Sequence, residues 1–315
     1  VTPSVSVVIC AYTELRWDDM RAAVASVLAQ TPRAHEVLLI IDNNPELLAR
    51  ARTSYCAEPL VRVLPNAQAK GLSGARNTGI LAARGEIVAF LDDDAGAESE
   101  WLAAMVGHYA DGAVAGVGGR AEPRWPQERP TWLPAEFDWV VGCSYVGQPT
   151  SVTGVRNFIG ANMSLRRDIL ARTGGFSHEI GRIGTVPLGC EETELCIRVR
   201  DVQPGATLLY DPAMRVRHRV TPDRIRLRYF VRRCYHEGLS KAVVAGRVGA
   251  DAALSSERDY TRRVLPRAVL RGLRTPASGG LLRAAAVLLG LAVTTLGYLR
   301  GRLRAHPRQR IAPWN

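Results

Sequence analysis

The sequence predicts an α/β fold, with a central, mostly parallel sheet flanked by helices and a basic helical extension at the C-terminus. Three observations predict it. Short apolar runs alternate with stretches of helical periodicity through the first half; those runs are apolar throughout rather than at every second residue; and basic charge is concentrated at one end of the chain. With 315 residues and 47 % hydrophobic content the chain can bury a sizeable core. It is expected to divide into a larger unit at 1–220 and a basic helical segment at 221–315.

The apolar runs come first. VSVVIC (5–10), EVLLII (36–41), VRVLP (61–65) and EIVAFL (86–91) are rich in Val, Ile and Leu, as strands covered on both faces are. Between them, residues 17–31 place Met20, Ala23, Val24, Val27 and Leu28 at helical spacing. A second helix is expected within 73–85, capped by Ser73 and stopped by Gly85. AVAGVGGRAEP reads as a further strand, and the proline- and tryptophan-rich stretch 124–139 as a long functional or surface loop. RRDILARTGGF predicts a short helix ending at Gly174. EETELCIRVRD predicts a helix with acid in its first turn, where the helix dipole favours it. ATLLYDP and MRVRHRV read as two late strands, and 224–246, 266–274 and 280–304 as arginine-rich helices.

Composition excludes several classes. The six cysteines include no C-x-x-C pair, which argues against a zinc ribbon or thioredoxin-type site and for reduced core residues of a cytoplasmic protein. No signal-peptide pattern is expected from the first residues. Residues 1–218 carry 21 Lys and Arg against 25 Asp and Glu, whereas residues 219–315 carry 20 against 5. That split predicts a near-neutral chemical unit joined to a cationic segment that meets something anionic.

The chemistry is expected at AFLDDDAG (89–96), where a buried run ends in Asp92, Asp93 and Asp94. Ligands of open parallel sheets bind beyond the carboxyl ends of the strands. Oxygen ligands crowded there suit a hard divalent ion, manganese or magnesium, completed by phosphate oxygens. The alternative is an acidic turn ahead of the next helix. Neither G-x-G-x-x-G nor G-x-x-x-x-G-K-[ST] occurs, so any phosphates must be neutralised by metal and side chains. Lys70 and Arg76, around a glycine-rich helix entry, are candidates for a diphosphate or ribose, against a solvated Arg76. Asp42, at a second strand terminus, is a candidate acceptor for a pyrimidine N–H, against an Asx turn.

The ordered set VSVVICAY, LLIIDNN, GLSGARNTGI, IVAFLDDD, GANMSLRR and CEETELCIR resembles a family-2 inverting glycosyltransferase of the glycosyltransferase A fold over roughly residues 3–218. The resemblance implies the following assignments. Asp94 binds the metal, Asp92 contacts nucleotide or ribose, and Asp93 lies beside them. Ala11, Tyr12 and Glu14 lie against the base, and Asp42 accepts from it. Asn162 faces the donor sugar, the alternative being a buried turn residue. The catalytic base is Glu192, with Glu191 its rival, in a motif that has Cys190 where the family has glycine and Glu192 where it has aspartate. His218 is near the metal, or else structural. The implied reaction moves a sugar from a nucleotide diphosphate, by the resemblance at Asp42 a uridine one, to an acceptor hydroxyl.

Bottom-up, those parts fit together. A cation offsets charge on a departing diphosphate, and a carboxylate takes the proton of an acceptor hydroxyl as it attacks, with inversion. A sugar-phosphate nucleotidyltransferase is the runner-up. It would need a glycine-rich basic loop after the first strand, where CAYTEL stands. A non-catalytic sugar-nucleotide-binding protein is the third reading. A glycoside hydrolase ranks below these, having no need of a metal site at a strand end.

The tail predicts a helix lying in a membrane interface with its arginines on anionic headgroups, since Ala284–Leu299 is shorter than the ~20 residues of a spanning helix. That places the protein on the inner face of the cytoplasmic membrane, with a lipid-linked or cell-surface glycan as acceptor. The alternatives are packing on the catalytic unit or a dimer contact. No nucleic-acid partner is expected, for want of a motif.

Overall fold

The computed structural model describes residues 2–178 and 189–304. The strands are β1 (Val5–Ala11), β2 (Glu36–Ile41), β3 (Val61–Pro65), β4 (Ile87–Asp92), β5 (Ala95–Ala97), β6 (Val114–Arg124), β7 (Thr153–Gly154), β8 (Asn162–Arg166) and β9 (Thr207–Arg219). The α-helices are α1 (Trp17–Leu28), α2 (Pro45–Ser54), α3 (Leu72–Ala82), α4 (Trp101–Val106), α5 (Arg167–Thr173), α6 (Glu191–Val202), α7 (Leu227–Val248), α8 (Ala250–Asp259), α9 (Leu265–Arg274) and α10 (Gly280–Arg304).

Among the described residues one sheet runs β3-β2-β1-β4-β8-β6-β9-β5, with β7 on the side of β9. The strands from β3 to β4 are parallel, as expected. Beyond β4 the sheet is mixed: β8 runs antiparallel to both β4 and β6, while β6 and β9 are parallel. The connection from β6 returns β8 into the sheet from the opposite end, so β8 has to run against both neighbours.

Both faces of the parallel half are covered, which explains its unbroken apolar runs. Val7, Ile9, Val37, Leu39, Ala89 and Leu91 pack on one side with α1, α2 and α4. Val8, Leu38, Ile40, Val88 and Phe90 pack on the other with α3, α5 and α6. Burying a side chain of this size contributes about 1.5–3 kcal/mol.

Four details differ from the sequence reading. The two late strands are one, β9, which absorbs Pro212 in a register shift against β6 at Gly119/Arg120. α3 starts at Leu72 with Gly71 as its N-cap and no side-chain cap, so Ser73 lies inside the helix. The expected loop at 124–139 carries a 3₁₀ turn, Ala135–Val141, with a buried Phe137. That turn joins Phe230, Cys234, Leu265 and Val287 in a core shared with the C-terminal helices.

The last difference concerns α10. Its bounds are those expected, but Gly280–Leu303, not only the shorter run Ala284–Leu299, has the length and composition of a membrane-crossing helix. Its amphipathicity is inverted. Glycines face the protein: a Cβ on Gly297 would lie 2.2 Å from the Tyr235 carbonyl oxygen, and one on Gly290 2.3 Å from the Phe137 ring. Leu281, Leu282, Leu288, Leu296, Leu299 and Leu303 face outward.

Candidate active site

The carboxyl ends of β1, β2 and β4 form the floor of the site. β4 ends at Asp92, and the chain turns sharply into β5, which pairs with β9 so that Ala95 stands opposite His218. This brings together residues far apart in sequence. Ligand atoms of Asp92, Asp94 and His218 lie within 4.8 Å of one another. His218 Nε2 is 3.2 Å from Asp94 Oδ1 and 3.8 Å from Asp92 Oδ2. Its other nitrogen, Nδ1, is 3.8 Å from the Cys143 sulfur.

Two arginines that the sequence reading missed complete the cluster. Arg16 Nη1 sits 2.6 Å from Asp93 Oδ1 and 3.2 Å from Asp94 Oδ2. Arg224 Nη2 is 3.8 Å from Asp94 Oδ2. Arg16 also donates to the Tyr12 hydroxyl at 3.2 Å and lies over its ring. Only the position of Arg16, one helical turn after Tyr12, hinted at this. Arg224 gave no local signal, because the link runs through the β5–β9 pairing.

The electrostatics of the triplet are uneven. Burial pushes the Asp94 carboxyl up, but His218, Arg224 and Arg16 outweigh it and hold the group well below the usual carboxylate range. Asp92 is also lowered, with His218 and Arg76 overcoming burial. Asp93 goes the other way: burial, with Asp94 and Asp92 alongside, raises it to about 7 despite Arg16. His218 is raised well above its ordinary value because the Asp94 charge outweighs burial. Asp93 Oδ2 and Asp94 Oδ2 are buried without a hydrogen bond, the latter with Arg16 and Arg224 as its ionic neighbours. The carboxylates of Asp92 and Asp94 with the His218 imidazole are a donor set that suits a divalent cation.

Arg76 ties this cluster to a second one. It is buried, at 3 % exposure, which removes the solvated alternative. Nη2 lies 3.4 Å from Asp92 Oδ1 and donates to the Gly160 carbonyl at 3.1 Å, while Nη1 lies 3.3 Å from Glu191 Oε1. Glu191 and Glu192 open α6. Glu191 is buried and Glu192 partly exposed. Burial and the neighbouring Glu191 push Glu192 up to about 8, with Arg76 opposing and Glu237 adding.

The remaining predicted residues divide. Ala11 is buried and its carbonyl accepts from the Asp42 N–H. Tyr12 is 45 % exposed at the rim, and Glu14 accepts from Asn44 Nδ2 at 3.1 Å. Asp42 Oδ1 accepts from Asn66 at 2.7 Å and Oδ2 from the Gly71 N–H at 3.0 Å, so it fastens the entry of α3. Lys70 is exposed beside that entry. Asn162 does not face an open cleft. It is fully buried, donates to the Arg120 and Met214 carbonyls and accepts from Trp101 Nε1, and so ties the start of β8 to β6, β9 and α4. The resemblance expects Asn162 at the donor sugar; in the structure it opens β8, with its amide bound to these protein groups.

The sequence profile of Glycosyl transferase family 2 matches residues 6–174, which span β1 to Gly174 and include the aspartate triplet. The chain belongs to glycosyl transferase family 2. This glycosyltransferase is 35 % identical over 242 residues to the glucosyl-dolichyl phosphate glucuronosyltransferase of Haloferax volcanii, covering 76 % of this chain and 77 % of that one. It is 30 % identical over 191 residues to the pre-mycofactocin glycosyltransferase of Mycobacterium tuberculosis, covering 59 % of this chain but 37 % of that protein. Among solved structures, the mannosyltransferase PcManGT of Pyrobaculum calidifontis, determined with GDP-Man and Mn2+, superposes at TM-score 0.59 with 17 % identity, over 94 % of this chain and 88 % of that one. GalNAc-T7, determined with UDP, GalNAc and Mn2+, superposes at 0.57 with 20 % identity, over 82 % and 55 %. At those identities the likeness shows the fold, that of the glycosyltransferase A class.

Proposed function

We propose that this family-2 enzyme is a metal-dependent, inverting glycosyltransferase that takes its sugar from a uridine diphosphate donor. The observation that carries the reading is the joining of two unlike carboxylate clusters through one buried arginine, Arg76. Asp92, Asp94 and His218 would hold manganese or magnesium. When bound, such an ion acts as a Lewis acid toward the charge that builds on the departing diphosphate. The other parts are the chain's own. Ala11, Tyr12, Glu14 and Asp42 line the place of the base, and Lys70 and Arg76 stand where a diphosphate and ribose would lie. Glu192 is the general base, with Glu191 held by Arg76 beside it. Its elevated proton affinity suits it to accept the acceptor's proton as the oxygen attacks the anomeric carbon. Attack opposite the leaving phosphate inverts that carbon.

The relative from H. volcanii motivates the finer reading of substrates: a glucuronosyl or related donor and a lipid-linked sugar acceptor. In this reading residues 1–220 carry the chemistry. The helices beyond rest on the inner face of the cytoplasmic membrane, where the leucines of α10 meet acyl chains and exposed arginines such as Arg267 and Arg274 meet anionic headgroups. The glycine seam holds α10 along α7, which favours lying on the bilayer over crossing it.

The test is a panel of nucleotide sugars, UDP-glucuronate among them, scored by melting temperature with and without manganese, since a ligand of the native state raises it. Proton NMR of the product reads the anomer, and a retained anomer ends the mechanism. Co-sedimentation with anionic vesicles tests the membrane, and absence of binding ends that part alone.

A further inference from the structure

α6 starts from two successive contacts with α7. The Gly189 N–H donates to Ser240 Oγ at 3.2 Å, and the Cys190 thiol donates to Glu237 Oε1 at 3.4 Å. Glu237 and Ser240 are three apart on one helix and share a face. Cys190 is the N-cap of α6 and holds left-handed backbone, φ 72° and ψ 11°. Glycine would take that conformation with less strain but has no thiol to offer. The next two residues are the carboxylates Glu191 and Glu192.

Glu237 is itself firmly held. It is buried, with Arg233 Nη1 at 2.7 Å and Lys241 Nζ at 3.1 Å. Lys241 also reaches Glu257 of α8 at 2.5 Å, and Glu257 takes both guanidinium nitrogens of Arg156 at 2.6 and 2.8 Å. Removing one member of a buried ion-pair network strands the others, so the arrangement resists piecemeal change. The N-terminus of α6 is thus moored to the C-terminal helices by a strained cysteine, at the position from which Glu192 must reach the acceptor.

We propose that Glu237 is a positioning residue for Glu192, acting through the Cys190 thiol. The inference rests on the assignment of Glu192 as the base. It predicts that reaction rate depends on a contact belonging to neither the donor site nor the acceptor.

Cys190→Gly is the deciding variant. It eases the backbone, removes the thiol, and leaves Glu237 charged and paired, so a loss of rate reports position rather than field. With UDP-glucuronate, manganese and a polyprenyl-phosphate glucose acceptor, kcat is expected to fall about tenfold, as for a shift smaller than the ~1 Å that costs about a hundredfold. The Kd of UDP with manganese should stay unchanged, and the melting temperature should hold or rise. Cys190→Ser, which keeps a donor, should recover most of the rate. Glu237→Gln should also slow turnover, and the double variant should be no slower than the worse single one, as residues acting as a unit require. Full kcat in Cys190→Gly overturns the proposal, as do losses that multiply. If Glu237→Gln does not fold, the glycine and serine variants decide by themselves. Absence of transfer by the unmodified chain removes the base assignment and this inference together; transfer at full rate by Cys190→Gly removes only the inference.

Discussion

The two carboxylate clusters joined by Arg76 are opposites. At the end of β4, Asp92, Asp93 and Asp94 meet Arg16, Arg224, Arg76 and His218, and the outer two aspartates are held ionised. At the start of α6, Glu191 and Glu192 share Arg76, and Glu192 is driven to about 8. Cationic surplus makes a place that keeps its charge and can exchange side-chain cations for an ion. Cationic deficit makes a place that takes and gives a proton near neutrality. Environments that push like groups apart are how one fold assigns unlike tasks to carboxylates.

The largest test of that contrast is Asp94→Asn. It should cut transfer by at least about a hundredfold, the scale of removing a preorganised electrostatic partner, and abolish the rise in melting temperature with manganese. Retention of that rise would place the ion elsewhere. Glu192→Gln should lower kcat by about 10²–10⁴-fold, the usual contribution of a positioned general base, while calorimetry finds donor and manganese binding intact. Loss of binding would merge the two clusters into one.

A smaller effect is on stability. Glu192 is raised from 4.5 to about 8, so the native chain holds that proton more tightly than the unfolded one. The stability this contributes is full below about 4.5 and is lost as pH rises through about 8. Glutamine suffers no such loss. The melting temperature of Glu192→Gln relative to the parent should therefore climb between those values and level off above them; a flat difference would mean that the native carboxyl titrates normally. Smallest is Arg16→Ala. Removing that cation from Asp93 and Asp94 should lower the ion-free melting temperature slightly and enlarge the stabilisation by manganese. A reduced manganese effect would make Arg16 part of the ion's support.

Much of this was legible in the chain. β1, β2 and β4 were, because both faces of each are covered and alternation is absent, and β3 stands beside them as a partly buried edge strand. The triplet and the α6 acids were, because their charges interrupt or cap apolar periodicity. What could not be read depends on long-range pairing. Arg224 reaches Asp94 only because β5 pairs with β9, and Pro212 made one strand look like two. Asn162 shows another limit: an amide that satisfies strand carbonyls and one that binds a sugar have the same sequence signature. Arg16 lies just beyond the CAYTEL loop, and its pairing with Asp93 spans 77 residues of sequence, so no local pattern marks that pairing.

The glycine seam of α10 separates two properties that usually change together. Since the close contacts with α7 and Phe137 involve backbone and small groups on the inner side, the outer leucines are not needed to close the core. Exchanging Leu288 and Leu296 for lysine changes only the outer surface and is expected to leave the fold intact, while enlarging Gly290 or Gly297 would wedge the helices apart. Surface character and integrity of the fold are, in this protein, set by opposite sides of one helix.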